Sequence, residues 1–109
     1  MKIIDSLTTE VIKDGIELKY TYRLIKSIYK GSQAYGIEVE REDSNCGQVV
    51  QIERDNIRLI SNNRYKVSEL LRLLYKNQVS PIHLVEILGD YVDEYVYDFN
   101  NEENERLIN

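Results

Sequence analysis

From Ile16 onwards the side chains alternate in character almost without a break. Ile16, Leu18, Tyr20, Tyr22, Leu24 and Ile28 fall on one side, and Glu17, Lys19, Thr21, Arg23, Ser27 and Tyr29 on the other, with Ile25 the exception. A period of two is the mark of a strand with one buried face and one wet face. The dipeptide before it, Asp14-Gly15, readily supplies the positive φ angles of a two-residue hairpin. That turn sets Val11 opposite Leu18 and Leu7 opposite Tyr22, which carries the apolar face onto a preceding strand. A second turn at Gly31-Ser32 pairs Ile28 with Tyr35 and Leu24 with Val39, and a third around Asn45-Cys46 pairs Val39 with Ile52 and Arg41 with Val50. Three turns that preserve one apolar face predict an antiparallel β-meander of about four strands. Residues 55–62, DNIRLISN, read either as an extension of the last strand or as a bent connection.

The period then changes. Val67, Leu70, Leu71 and Leu74 recur at helical spacing, with Asn62 or Asn63 in place to cap the start and Lys76 near the end. After a break at Asn77-Gln78-Val79, Ser80-Pro81 opens a second helix, with serine as N-cap and proline at the first helical position. On that helix Leu84, Leu88, Tyr91, Val92, Tyr95 and Phe99 gather on one side. The fold class predicted is α+β, with the meander followed by a C-terminal α-helical hairpin packed on one sheet face. The core should comprise Leu18, Tyr20, Tyr22, Leu24, Ile37, Val39 and Ile52 from the sheet. From the helices it should take Val67, Leu71, Leu74, Leu84, Leu88, Val92 and Tyr95. Residues 1–99 form the single domain expected, and 100–109 a polar, frayed tail. Gly89, inside the second helix, would permit close packing against the first helix or a slight bend.

A chain of 109 residues with 42% hydrophobic and 30% charged content suits one soluble globular domain. Acids and threonines interrupt the N-terminus, MKIIDSLTTEVIKDG, where a secretory leader needs a continuous apolar run. No window nears the roughly 18 apolar residues of a membrane helix. The lone Cys46 forms no internal disulfide and fits a reducing compartment. These features predict a cytoplasmic protein with no membrane partner.

Charge is unevenly placed. Residues 1–80 carry 13 Lys and Arg against 11 Asp and Glu, whereas residues 81–109 carry one basic residue against eight acids. No lysine or arginine stands between Pro81 and Glu105, so no i,i+4 pair relieves the repulsion along the second helix. Its stripe of Glu86, Asp90, Asp93, Glu94 and Asp98, with Tyr97 alongside, therefore points to a positively charged neighbour, inside or outside the molecule. The matching basic run is Lys19, Arg23, Lys26 and Lys30, with Tyr29 beside it on the wet sheet face. Cross-strand pairing with Glu38 and Glu40 accounts for Lys19 and Arg23, although a basic sheet face with tyrosines is also a way to track nucleic acid.

Enzymatic constellations are sparse. His83 stands one turn from Glu86 and two from Asp90, but with no second histidine and no CxxC it reads as a solvated or locally bonded side chain rather than a metal ligand. Cys46 and His83 have no third residue marked to orient them as a dyad. The five glycines, at 15, 31, 36, 47 and 89, are scattered and form no phosphate-cradling loop. The expectation is a protein that is not an enzyme and takes no metal or other cofactor. It would be a small protein-interaction or regulatory module whose partner is another protein or itself, as a homodimer. The candidate partner-binding residues are Glu86, Asp90, Asp93, Glu94, Tyr97, Lys19, Arg23 and Tyr29; nucleic-acid binding by the basic sheet face is the alternative.

The segments YRLIKSIYKGSQAYGIEVE and VSPIHLVEILGDYVDEYVYDF together resemble a family of small proteins from clostridia and related Firmicutes. The resemblance implies a chain of this size with a strand-rich first half and a helical end, working in a bacterial cytosol. It implies no activity, cofactor, partner or site residue.

Overall fold

The computed structural model describes the backbone of residues 1–108 and the side chains of residues 1–99. Four strands form one antiparallel sheet in chain order: β1 (Lys2–Lys13), β2 (Ile16–Tyr29), β3 (Ser32–Asn45) and β4 (Gln48–Ser61). Two helices follow, α1 (Arg64–Lys76) and α2 (Leu84–Ile108), with a 3-10 turn at Pro81–His83 leading into the second. The frayed tail expected over 100–109 lies outside the residues whose side chains are described.

The three hairpin turns share one geometry. Asp14 and Gly15 have φ of 53° and 78°, Lys30 and Gly31 of 50° and 78°, and Cys46 and Gly47 of 52° and 79°. Two central residues with positive φ make the turn whose twist matches that of its strands. Glycine takes the second position each time.

This fixes the registers. The first is the one expected, with Leu7 opposite Tyr22 and Val11 opposite Leu18. The second turn is Lys30-Gly31 rather than Gly31-Ser32, so Leu24 faces Ile37 and Ile28 faces Gln33. Each expected partner moves by two residues, which leaves every side chain on its face. The third turn is Cys46-Gly47 rather than Asn45-Cys46, and the ladder then slips by one residue between Asp43 and Ser44. Here the correction is of odd parity. Ile52 faces Glu42, and Arg41 faces Glu53, so Ile52 leaves the core for the wet face, where it is 50% exposed.

Residues 55–62 are both strand and bend. Ile37 faces Ile57, but Tyr35 faces Ser61, so Arg58, Leu59 and Ile60 bulge out opposite Gly36. A Cβ on Gly36 would run into the carbonyl oxygens of Ile57 and Arg58, and only glycine admits that approach. The bulge sends Ile60 into the core, fully buried.

Helix α1 places Val67, Leu70, Leu71 and Leu74 against the sheet. Its cap is Asn63, whose side chain accepts from the Lys66 N–H at 3.2 Å. Ser80 precedes the turn before α2, but its side chain makes no capping bond; its carbonyl accepts from the His83 N–H instead, at 3.0 Å. Helix α2 adds Leu84 and Leu88 to the core, with Val92 and Tyr95 partly buried against it, and lies chiefly along β4. The Tyr22 hydroxyl, deep in the core, donates to the Val79 carbonyl at 3.0 Å and ties the link between the helices to the sheet. Burial raises the Tyr22 hydroxyl well above the usual tyrosine pKa, with a smaller push from Tyr20, so it stays protonated as a donor. Fully buried side chains of this size each contribute about 1.5–3 kcal/mol.

Candidate interaction surface

The acids of α2 divide into two groups. Asp98 turns inward: its carboxylate accepts from the Ser61 hydroxyl at 2.6 Å and from Lys66 Nζ at 3.0 Å, while its carbonyl accepts from Asn62 Nδ2 at 3.2 Å. Lys66 also lies over the Tyr95 ring, 4.9 Å from its centroid. Asp98 thus leaves the acidic stripe and fastens α2 to the end of β4 and the start of α1. Its positive neighbour is inside the molecule.

Glu86, Asp90, Asp93 and Tyr97, at i, i+4, i+7 and i+11, line one exposed face of the helix, with Glu94 beside Asp90. Glu86 meets His83 Nδ1 at 3.3 Å. Asp90, Asp93 and Glu94 have no ion pair among the described residues. Next to this face stand exposed apolar side chains, Val85 at 59% and Val96 at 46%, with Gly89 between them. A Cβ at Gly89 would meet nothing within 4 Å, so the close packing against α1 expected of this glycine does not occur. It costs about 1 kcal/mol relative to alanine and serves no contact within the described residues.

The wet face of the sheet is different in kind. Arg23 stands 3.5 Å from Glu38 and 3.3 Å from Glu40, and Arg54 Nε lies 2.5 Å from the other oxygen of Glu40. Burial alone would raise the Glu40 pKa, but the hydrogen bonds from Arg54 and Arg23 outweigh it and hold the carboxyl below its usual value. Lys19 lies between Glu10 and Glu42 in the ladder. Lys19 and Arg23 thus each have an acid beside them, whereas Lys26 stands opposite Lys2 and Tyr35. Tyr29 packs edge-on against Phe99 of α2, 5.2 Å between ring centroids, with Lys30 Nζ 5.3 Å from its centroid. It anchors the helix rather than offering an open platform.

The structure thus gathers Glu86, Asp90, Asp93, Glu94 and Tyr97 on one surface and sets Lys19, Arg23 and Tyr29 apart from it. It also supplies a groove that the sequence reading missed, of about 440 Å³, lined by Ile52, Glu53, Arg54, Asp55, Pro81 and Ile82. No pattern in the sequence marks it, because it joins consecutive residues of β4 to the turn before α2, far along the chain.

The model of a family of unknown function, DUF6514, matches residues 1–94. The chain belongs to this family. No curated protein and no solved structure matches it. The DUF6514 match takes in all four strands, α1 and the first part of α2 with Glu86, Asp90, Asp93 and Glu94, and stops short of Tyr97. No helix among the described residues of this DUF6514 protein is long and apolar enough to cross a membrane.

Proposed function

We propose that this DUF6514 protein is a small non-enzymatic interaction module of a Firmicute cytoplasm, and that it meets another protein through the outward side of α2. What supports this reading is the set of three exposed carboxylates, Asp90, Asp93 and Glu94, with no paired cation among the described residues. Like charges within one helix turn cost a few tenths of a kcal/mol per pair, and a basic partner turns that repulsion into attraction. A second copy would set the same acids against each other, since a two-fold interface uses one patch twice. The sheet's wet face, with acids interleaved among its cations, favours nucleic acid less.

The test is capture from the native lysate by the tagged chain and by its Asp90→Lys/Asp93→Lys variant, with nuclease, at low and high salt. The variant should melt like the wild type and lose the captured protein, and the wild type should release it as salt rises. Capture unchanged by charge reversal overturns this reading of α2.

A further inference from the structure

The acids are only the rim of the α2 surface. Val85, Gly89, Val92 and Val96 follow one another at steps of four, three and four residues, the spacing by which one helix interlocks with a second. Val85 and Val96 are open to solvent and Val92 is partly so. Gly89, in the middle, has open space where a Cβ would be. The stripe runs about 16 Å at 1.5 Å per residue, three turns of helix. One turn before Val85, Ile82 is 69% exposed and with Pro81 and Ile52 gives apolar walls to the groove of about 440 Å³, whose remaining lining includes Asp55 and Glu53, the latter 3.5 Å from Arg41. Arg54, the one cation in that lining, is engaged by Glu40. An apolar floor three turns long, notched at its centre, therefore carries acids along one side and at one end.

We infer that this surface receives an amphipathic helix of another protein, apolar along one side with lysines or arginines beside it, crossing α2 at Gly89. This rests on the reading of α2 given above and adds the chemistry of the occupant. The missing Cβ lets two helix backbones approach closely, as small residues do wherever helices cross tightly. The helical spacing selects a helix over an extended peptide. The carboxylates select a basic partner over a second copy of this chain.

The probe is a pair of synthetic peptides of identical lysine and leucine composition. In one the leucines recur at i, i+4 and i+7; in the other their order is scrambled. Binding to the full chain is followed by fluorescence anisotropy. The patterned peptide should bind at least tenfold more tightly than the scrambled one. Gly89→Leu should remove at least tenfold of that affinity while leaving the fold intact, because leucine forms helix better than glycine and the site is open. Equal binding of the two peptides overturns the helical occupant and leaves only charge attraction, so the acidic-face reading survives alone. Patterned binding that Gly89→Leu leaves unchanged overturns the crossing point. Failure of both peptides to bind overturns the inference together with the reading beneath it.

Discussion

Glu40 and Cys46 show how much single side chains carry here. Glu40 takes hydrogen bonds from Arg23 and Arg54 at a buried position, and such charge-assisted bonds are worth roughly 1.5–3 kcal/mol. Its folded pKa lies below the ordinary 4.5, so its stabilisation is fully present above that pH and is lost as pH falls through the lower folded value. Glu40→Gln should therefore cost about 1–2 kcal/mol at pH 7, and the gap from wild type should narrow in urea melts at acid pH. Cys46 occupies a left-handed position with φ of 52° that asparagine fills more easily. Cys46→Asn should raise stability by about 0.5 kcal/mol, seen as a higher urea midpoint with unchanged slope. At this scale the sequence was partly legible. The pairing of Arg23 with Glu38 and Glu40 follows from strand neighbours, and the Asn63 cap from its place before an apolar run. The bond from Tyr22 to Val79 joins residues 57 apart, and no local pattern announces it.

The elements themselves were legible where a turn fixed their phase and hidden where a bulge changed it. The alternation along β2 is unbroken over most of its length, so a second turn misplaced by one position left every face correct. The slip after Asp43 is odd, and it alone moved Ile52 from core to surface. Ile60 was missed as core for a different reason: three residues of β4 stand opposite Gly36 alone, and within that bulge the alternation does not hold, although it resumes in phase at Ser61. That bulge depends on Gly36, whose missing Cβ leaves room for the Ile57 and Arg58 carbonyls. Gly36→Ala forces the two strands apart and should cost about 3 kcal/mol, at the upper end of ordinary overpacking, read in thermal or urea unfolding. Helix α2 has its own fastening. Asp98→Ala leaves the Ser61 hydroxyl and Lys66 without their acceptor and should lower stability by about 1–2 kcal/mol. Hydrogen exchange should rise along α2 in that variant, while β2 keeps its protection.

Taken whole, the protein measures 60 × 24 × 17 Å, long for its size because the first and third hairpins run far past the core. Leu24, Ile37, Val39 and Leu71 sit at the helix-covered end, while Ile12, Val49 and Val50 beside the first and third turns are exposed. Native-state amide exchange should follow this gradient: slowest at Tyr22–Leu24 and Ile37–Val39, fastest near Asp14 and Cys46. Uniform protection along the strands would contradict it. The strand order gives the molecule another property. Every strand pairs with the one made just before it, and no strand waits for a distant partner. On a ribosome, then, the order of synthesis is also the order of assembly: β1 can zip to β2 within microseconds, long before β4 has been translated. The sheet's apolar face nonetheless stays uncovered until α1 and α2 arrive. The growing chain carries an unfinished core until all four strands are made, and the helices that complete it come only after them.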